Sequence, residues 1–147
     1  MRIHVERLVP DTILPESRCR CIVSRVLRAE GFTGYDLTLV IADSRRLRRL
    51  NRRFRGIDRP TDVISFALLE GAQPPVPCRQ LGDVYISVPR ARRQARQYRV
   101  TPGEEMARLM IHGVLHLLGY DHIRPAQARS MRRREEMYLG QCCHLIK

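Results

Sequence analysis

Apolar and polar positions alternate along residues 2–9, with Ile3, Val5 and Leu8 on one side, which predicts a short strand. Over 15–30 the apolar positions recur at helical spacing, through Ile22, Val26 and Ala29, and Gly31 ends the run. Residues 35–42 (YDLTLVIA) form the clearest strand, rich in β-branched residues. Asp43 or Ser44 can cap a helix over 45–54 whose stripe is Leu47, Leu50 and Phe54. Two more strands are predicted at 63–69 and 81–88. The segment 70–80 between them carries Gly71, Pro74, Pro75 and Pro77 and reads as a loop. Pro89 fits the first turn of a helix with Ala91, Ala95 and Tyr98 on its apolar side. Thr101-Pro102-Gly103-Glu104 reads as a capping box opening the next helix, and a last helix covers 126–139. The order β-α-β-α-β-β-α-α-α predicts an α+β fold of four strands and about five helices. The first three strands are expected to run parallel through helical crossovers and the fourth to pair antiparallel. No repeat, low-complexity tract or domain boundary interrupts the pattern, so residues 1–147 are read as a single domain.

The helix that opens at Thr101 is apolar nearly all round, through Met106, Leu109, Met110, Val114, Leu117 and Leu118, and is expected to be buried. It also carries the most informative stretch of the chain. Residues 111–122 read IHGVLHLLGYDH and hold three of the five histidines. His112 and His116 are four apart and share a helical face. Gly119 can stop the helix in the left-handed conformation, and the chain can then swing His122 back as a third ligand. Three imidazoles suit Zn²⁺, one per chain, and leave a fourth position open, as catalytic rather than structural zinc sites do. The spacing matches the zinc-peptidase signature H-E-x-x-H-x-x-G-x-x-H, except that Gly113 stands where the peptidases carry their general base. A zinc hydrolase is expected, and a peptidase of the usual mechanism is not.

Charge narrows the substrate. The net charge is +12, and Lys147 is the only lysine, so the excess is arginine. The guanidinium fork pairs with phosphate, which points to a polyanionic partner, most simply nucleic acid. The arginines cluster at 45–55, 90–99 and 129–134, and these faces are expected to guide an RNA backbone, with Arg52, Arg59, Arg93 and Arg96 as candidate contacts. A solvated face is the alternative reading of such runs. Five cysteines, an odd number without C-x-x-C spacing, are read as free thiols in a reducing compartment. No run approaches the ~20 apolar residues of a membrane span, and the first eleven residues lack the apolar core of a signal peptide. A soluble, cytoplasmic protein without membrane partners is expected.

A second constellation lies at 51–66, NRRFRGIDRPTDVISF, where Arg55, Asp58, Arg59, Thr61, Asp62 and Ser65 crowd a tight loop. An arginine beside a metal could hold a phosphate and neutralise developing charge. Together with LGDVYIS and HGVLHLLGYDH, this segment resembles the YbeY family of bacterial endoribonucleases. The resemblance implies an α+β sandwich with helices around a four-stranded mixed sheet. It implies metal ligation by His112, His116 and His122, and Arg55 as the functional arginine. It further implies metal-dependent, single-strand-specific RNA cleavage in rRNA processing, at the 3′ end of small-subunit rRNA, and in ribosome quality control. The expected partners are therefore single-stranded RNA, rRNA and the ribosomal small subunit. The chain departs from the family at Ile123-Arg124-Pro125, where many relatives are acidic, and at Ala67, where proline is frequent. Either water or a 2′-hydroxyl could be the nucleophile. Asp121 is a candidate for orienting a ligand, or else a turn residue. Glu105 shares the face of His112 but stands roughly 10 Å away at 1.5 Å per residue. Two other function classes stay open at this level: a non-catalytic ribosome-binding maturation factor with a structural zinc, and a zinc peptidase.

Overall fold

The computed structural model describes residues 1–11, 13–68 and 79–146. Its strands are β1 (Ile3–Arg7), β2 (Asp36–Ala42), β3 (Val63–Ala67) and β4 (Gln80–Ser87). Its helices are α1 (Glu16–Ala29), α2 (Ser44–Arg55), α3 (Val88–Tyr98), α4 (Pro102–Leu117), α5 (Pro125–Gln141) and a single turn, α6 (Cys143–Ile146). Most of the loop expected over 70–80 lies outside the described residues, and Gln80 already belongs to β4. No helix among the described residues is long and apolar enough to cross a membrane.

The four strands form one mixed sheet in the order β1-β2-β4-β3. The α+β class holds, but the odd strand is not the expected one. β1, β2 and β4 run parallel, and β3 is antiparallel to β4. The reason lies after α2. Asp58 pairs with Arg48, and the Arg59 carbonyl accepts from Asn51 Nδ2 at 2.9 Å, so the loop doubles back along the helix. The chain re-enters the sheet at the end where β2 left it, with the Asp62 carbonyl accepting from the Ser87 amide at 2.9 Å. From there β3 can only run backwards.

One sheet face carries the main core. Leu37, Leu39, Ile41, Val84 and Ile86 pack there against Val23, Val26 and Leu27 of α1 and Met110, Val114 and Leu115 of α4. α2 covers part of the opposite face, through Leu47 and the partly buried Leu50 with Ile64 and Phe66. Four apolar positions expected inside are exposed: Leu8, Ala29, Phe54 and Tyr98. Phe54, in the last turn of α2, meets Phe66 of β3 edge-on. Tyr98 ends α3 and lies under the Arg108 guanidinium instead of in the core.

The caps expected at Asp43 and Thr101 form, accepting from the amides of Arg46 and Glu104, and Ser87, which the sequence reading did not single out, accepts from that of Arg90. From Gly103 onward α4 is buried except for one row, Glu104, Arg108, His112 and His116, spaced four apart. Gly113 sets how close this helix comes to the sheet. A Cβ built there would lie 2.5 Å from Val84 Cγ1 and 3.1 Å from Val63 Cγ2. The position therefore faces the sheet and could not direct a carboxylate at the open row. Overpacking of this kind costs about 1–3 kcal/mol. Gly113→Ala is expected to lower the urea midpoint accordingly, at unchanged denaturant slope.

Candidate metal centre

α4 ends in a paired cap that turns the chain sharply. The Gly119 amide donates to the His116 carbonyl and the Tyr120 amide to the Leu115 carbonyl, both at 3.1 Å, with Gly119 at φ +100°. Asp121 then tightens the turn, accepting from the amides of His122 at 2.6 Å and Ile123 at 3.2 Å. Its carboxylate fixes the backbone that carries His122, which is the turn role rather than a bond to a ligand ring.

These two devices bring His122 back over the open row of α4. The donor atoms of His112, His116 and His122 all lie within 4.8 Å of one another. His116 Nε2 stands 3.0 Å from His122 Nδ1. Two nitrogens on a tetrahedral zinc at ~2.0–2.1 Å stand ~3.3 Å apart, so this donor set fits a single transition-metal ion. Burial, followed by the neighbouring His112 and His122, pushes His116 down to about 4, so its ring is neutral and able to ligate at pH 7.

Glu135 completes the arrangement, and sequence reasoning missed it. This buried α5 carboxylate is hydrogen-bonded to His112 Nδ1. That contact leaves Nε2 of His112 free for a metal and fixes the ring plane. A signal for it existed: Met131, Glu135 and Tyr138 are the buried residues of α5 and fall at i, i+4 and i+7. Losing such a partner typically costs 10–100-fold in metal affinity. Glu135→Ala is expected to show a loss of that size in zinc competition with a colorimetric chelator.

The histidines open into a cavity of about 460 Å³ whose other walls include Arg55, Thr61, Asp62, Ser65 and Asp121. Arg55 is the last residue of α2 and also borders His116 from a second hollow with Ser65. Ser65 Oγ donates to the Gly113 carbonyl at 2.9 Å, tying β3 to the histidine helix. Asp62 is held by the Val63 amide at 2.8 Å and Gln94 Nε2 at 3.1 Å. Arg52 and Arg59 are exposed on α2 and its following loop, while Arg93 and Arg96 lie on the exposed side of α3, outside the cavity walls. Glu105 is buried against Arg108, and burial raises its carboxyl while Arg108 pulls it down. A larger hollow of about 780 Å³ is walled by Ile13, Pro102, Leu139 and Ile146 and contains none of the three histidines.

Fold and site together define a class: a mixed-sheet α+β domain with a three-histidine centre that is open to solvent beside an arginine. A model of the family described as Endoribonuclease YbeY matches residues 10–142. A protein named Endoribonuclease YbeY from Anaeromyxobacter sp. (strain Fw109-5) is 48% identical over 80% of this chain and 60% of its own length. One of the same name from Pelotomaculum thermopropionicum is 47% identical over 79% of this chain and 78% of its own. Another from Desulforamulus reducens is 39% identical over 92% of this chain and 94% of its own. The solution structure of TM1509 from Thermotoga maritima superposes with a TM-score of 0.68 at 26% identity, covering 95% of this chain and 88% of that one. The chain belongs to the YbeY family of endoribonucleases. It spans 60% of the Anaeromyxobacter relative's length and 78% of the Pelotomaculum one's.

Proposed function

We propose that this chain is a zinc-dependent endoribonuclease specific for single strands, acting on the 3′ end of small-subunit rRNA and in ribosome quality control. It works in the cytoplasm with the ribosomal small subunit, and residues 1–147 act as one metallohydrolase domain. The observation that carries this reading is the convergence of three imidazoles in a cavity shared with Arg55.

Zinc, when bound, supplies Lewis acidity, polarising a phosphoryl oxygen and making water acidic near neutral pH. The chain's own residues prepare its seat. Glu135 orients His112, the turn at Asp121 sets His122, and burial keeps His116 neutral. Arg55 offers a planar fork to a phosphate drawn into the cavity and balances charge that develops there. Structural zinc sites are closed by four protein ligands, whereas three donors converge here among the described residues, which favours chemistry over a purely structural role. The sheet-facing Gly113 removes the base a peptidase would need.

The test is cleavage by the metal-loaded protein of single-stranded RNA carrying an unprocessed small-subunit 3′ end, beside the same RNA in a duplex. Cleavage of the single strand alone, stopped by chelator, is expected. Cleavage of both, or cleavage that survives chelation, contradicts the proposal.

A further inference from the structure

Of the three arginine clusters, the one on α2 ends in the histidine cavity. Arg45, Arg48, Arg49 and Arg52 are exposed, and Arg48 and Arg49 each stand three or four residues from both Arg45 and Arg52, so the four form one stripe along the helix. Leu47 and Asn51 bury the opposite side. Three residues beyond Arg52 the stripe reaches Arg55, which walls the cavity. The four arginines line a shallow hollow of about 340 Å³, with Asp58 the only acid in its wall among the described residues.

The stripe opposes the stability of its own helix. Arg45 stands in the first turn of α2, at the positive end of the helix dipole, where the N-cap carboxylate of Asp43 offsets it. Arg45–Arg49 and Arg48–Arg52 are like-charge pairs at i,i+4, which repel. Arg48 is paired with Asp58, while Arg45, Arg49 and Arg52 have no ion pair among the described residues. A bound polyanion would relieve all of these repulsions at once. Elsewhere the arginines are partly answered by acids: Arg92 of α3 pairs with Asp11, and Arg134 of α5 with Glu30.

We propose that the α2 stripe is the track along which successive phosphates of one RNA strand run towards the histidine cavity, with Arg55 as its last step. This rests on the endoribonuclease reading above. A flexible single strand can follow a line of forks on one helix, each taking a phosphate bidentately.

The test compares metal-loaded parent with two triple variants of equal charge, R45Q/R49Q/R52Q on α2 and R129Q/R132Q/R133Q on α5. Cleavage of a single-stranded RNA is followed as a function of salt, with binding read by fluorescence anisotropy. Each phosphate neutralised contributes about −0.7 to the log–log salt slope for single strands. The α2 triple should therefore flatten the slope by about 2, raise KM at least tenfold and leave kcat within twofold. The α5 triple should change each far less. The α2 triple should also melt no lower than the parent, since repulsion has been removed. An α2 triple with parental KM and slope, or two triples that behave alike, overturns the track alone. A parent that neither binds nor cleaves RNA overturns the endoribonuclease reading as well.

Discussion

His116→Ala is expected to lose metal and RNA cleavage together while keeping its fold. His116 neighbours the other two histidines of the cluster, with its Nε2 3.0 Å from His122 Nδ1. Loss of a residue that merely orients a ligand costs 10–100-fold in affinity, so loss of the ligand itself should exceed about 100-fold. The core around α4 is built by Met110, Val114 and Leu115, which the substitution leaves in place. Metal content after gel filtration and far-ultraviolet circular dichroism read the two outcomes separately. A variant that retains stoichiometric metal would contradict the assignment.

The same substitution has a pH signature in the metal-free protein. His116 titrates at about 4 when folded, chiefly through burial, against an ordinary value of 6.5. A depressed pKa means that the unfolded chain binds the proton more readily. The stability at stake is therefore complete above about pH 6.5 and drains away as pH falls towards 4. Melting temperatures of the metal-free parent should fall more steeply across this window than those of His116→Ala.

Arg55→Ala is expected to reduce kcat/KM by about 10²–10³, the usual loss when a donor aimed at developing charge is removed. Metal content should stay at the parental level, because Arg55 walls the cavity without belonging to the ligand cluster. Arg55→Lys keeps the charge and loses the planar fork, so it should recover only part of the rate. Unchanged cleavage by Arg55→Ala would remove this residue from the site. Loss of metal would instead make its role structural.

The histidine centre was legible because its determinants are local. The i,i+4 spacing, the stop at Gly119 and the return to His122 all fall within eleven residues, and the structure realises each. The helix around them was legible from its all-round apolarity, and its open row carries His112 and His116. Glu135 was hidden because it arrives 23 residues after His112, inside a run of arginines and glutamates that resembles a solvated helix. Only the burial stripe with Met131 and Tyr138 marks it. The direction of β3 was hidden for a related reason. It depends on Asn51 and Arg48 pulling the loop back along α2, a contact between segments that no local periodicity encodes. Phe54 and Tyr98 were assigned inward from spacing alone, but both lie in the last turn of their helices and are exposed, Phe54 against the Phe66 ring and Tyr98 beneath the Arg108 guanidinium.

The most direct measurement is a zinc titration of metal-depleted protein during cleavage of single-stranded RNA. Activity should rise linearly and break at one zinc per chain, with the His116→Ala protein flat throughout. Full activity before any zinc is added, or a titration in which the histidine variant behaves like the parent, would contradict the account.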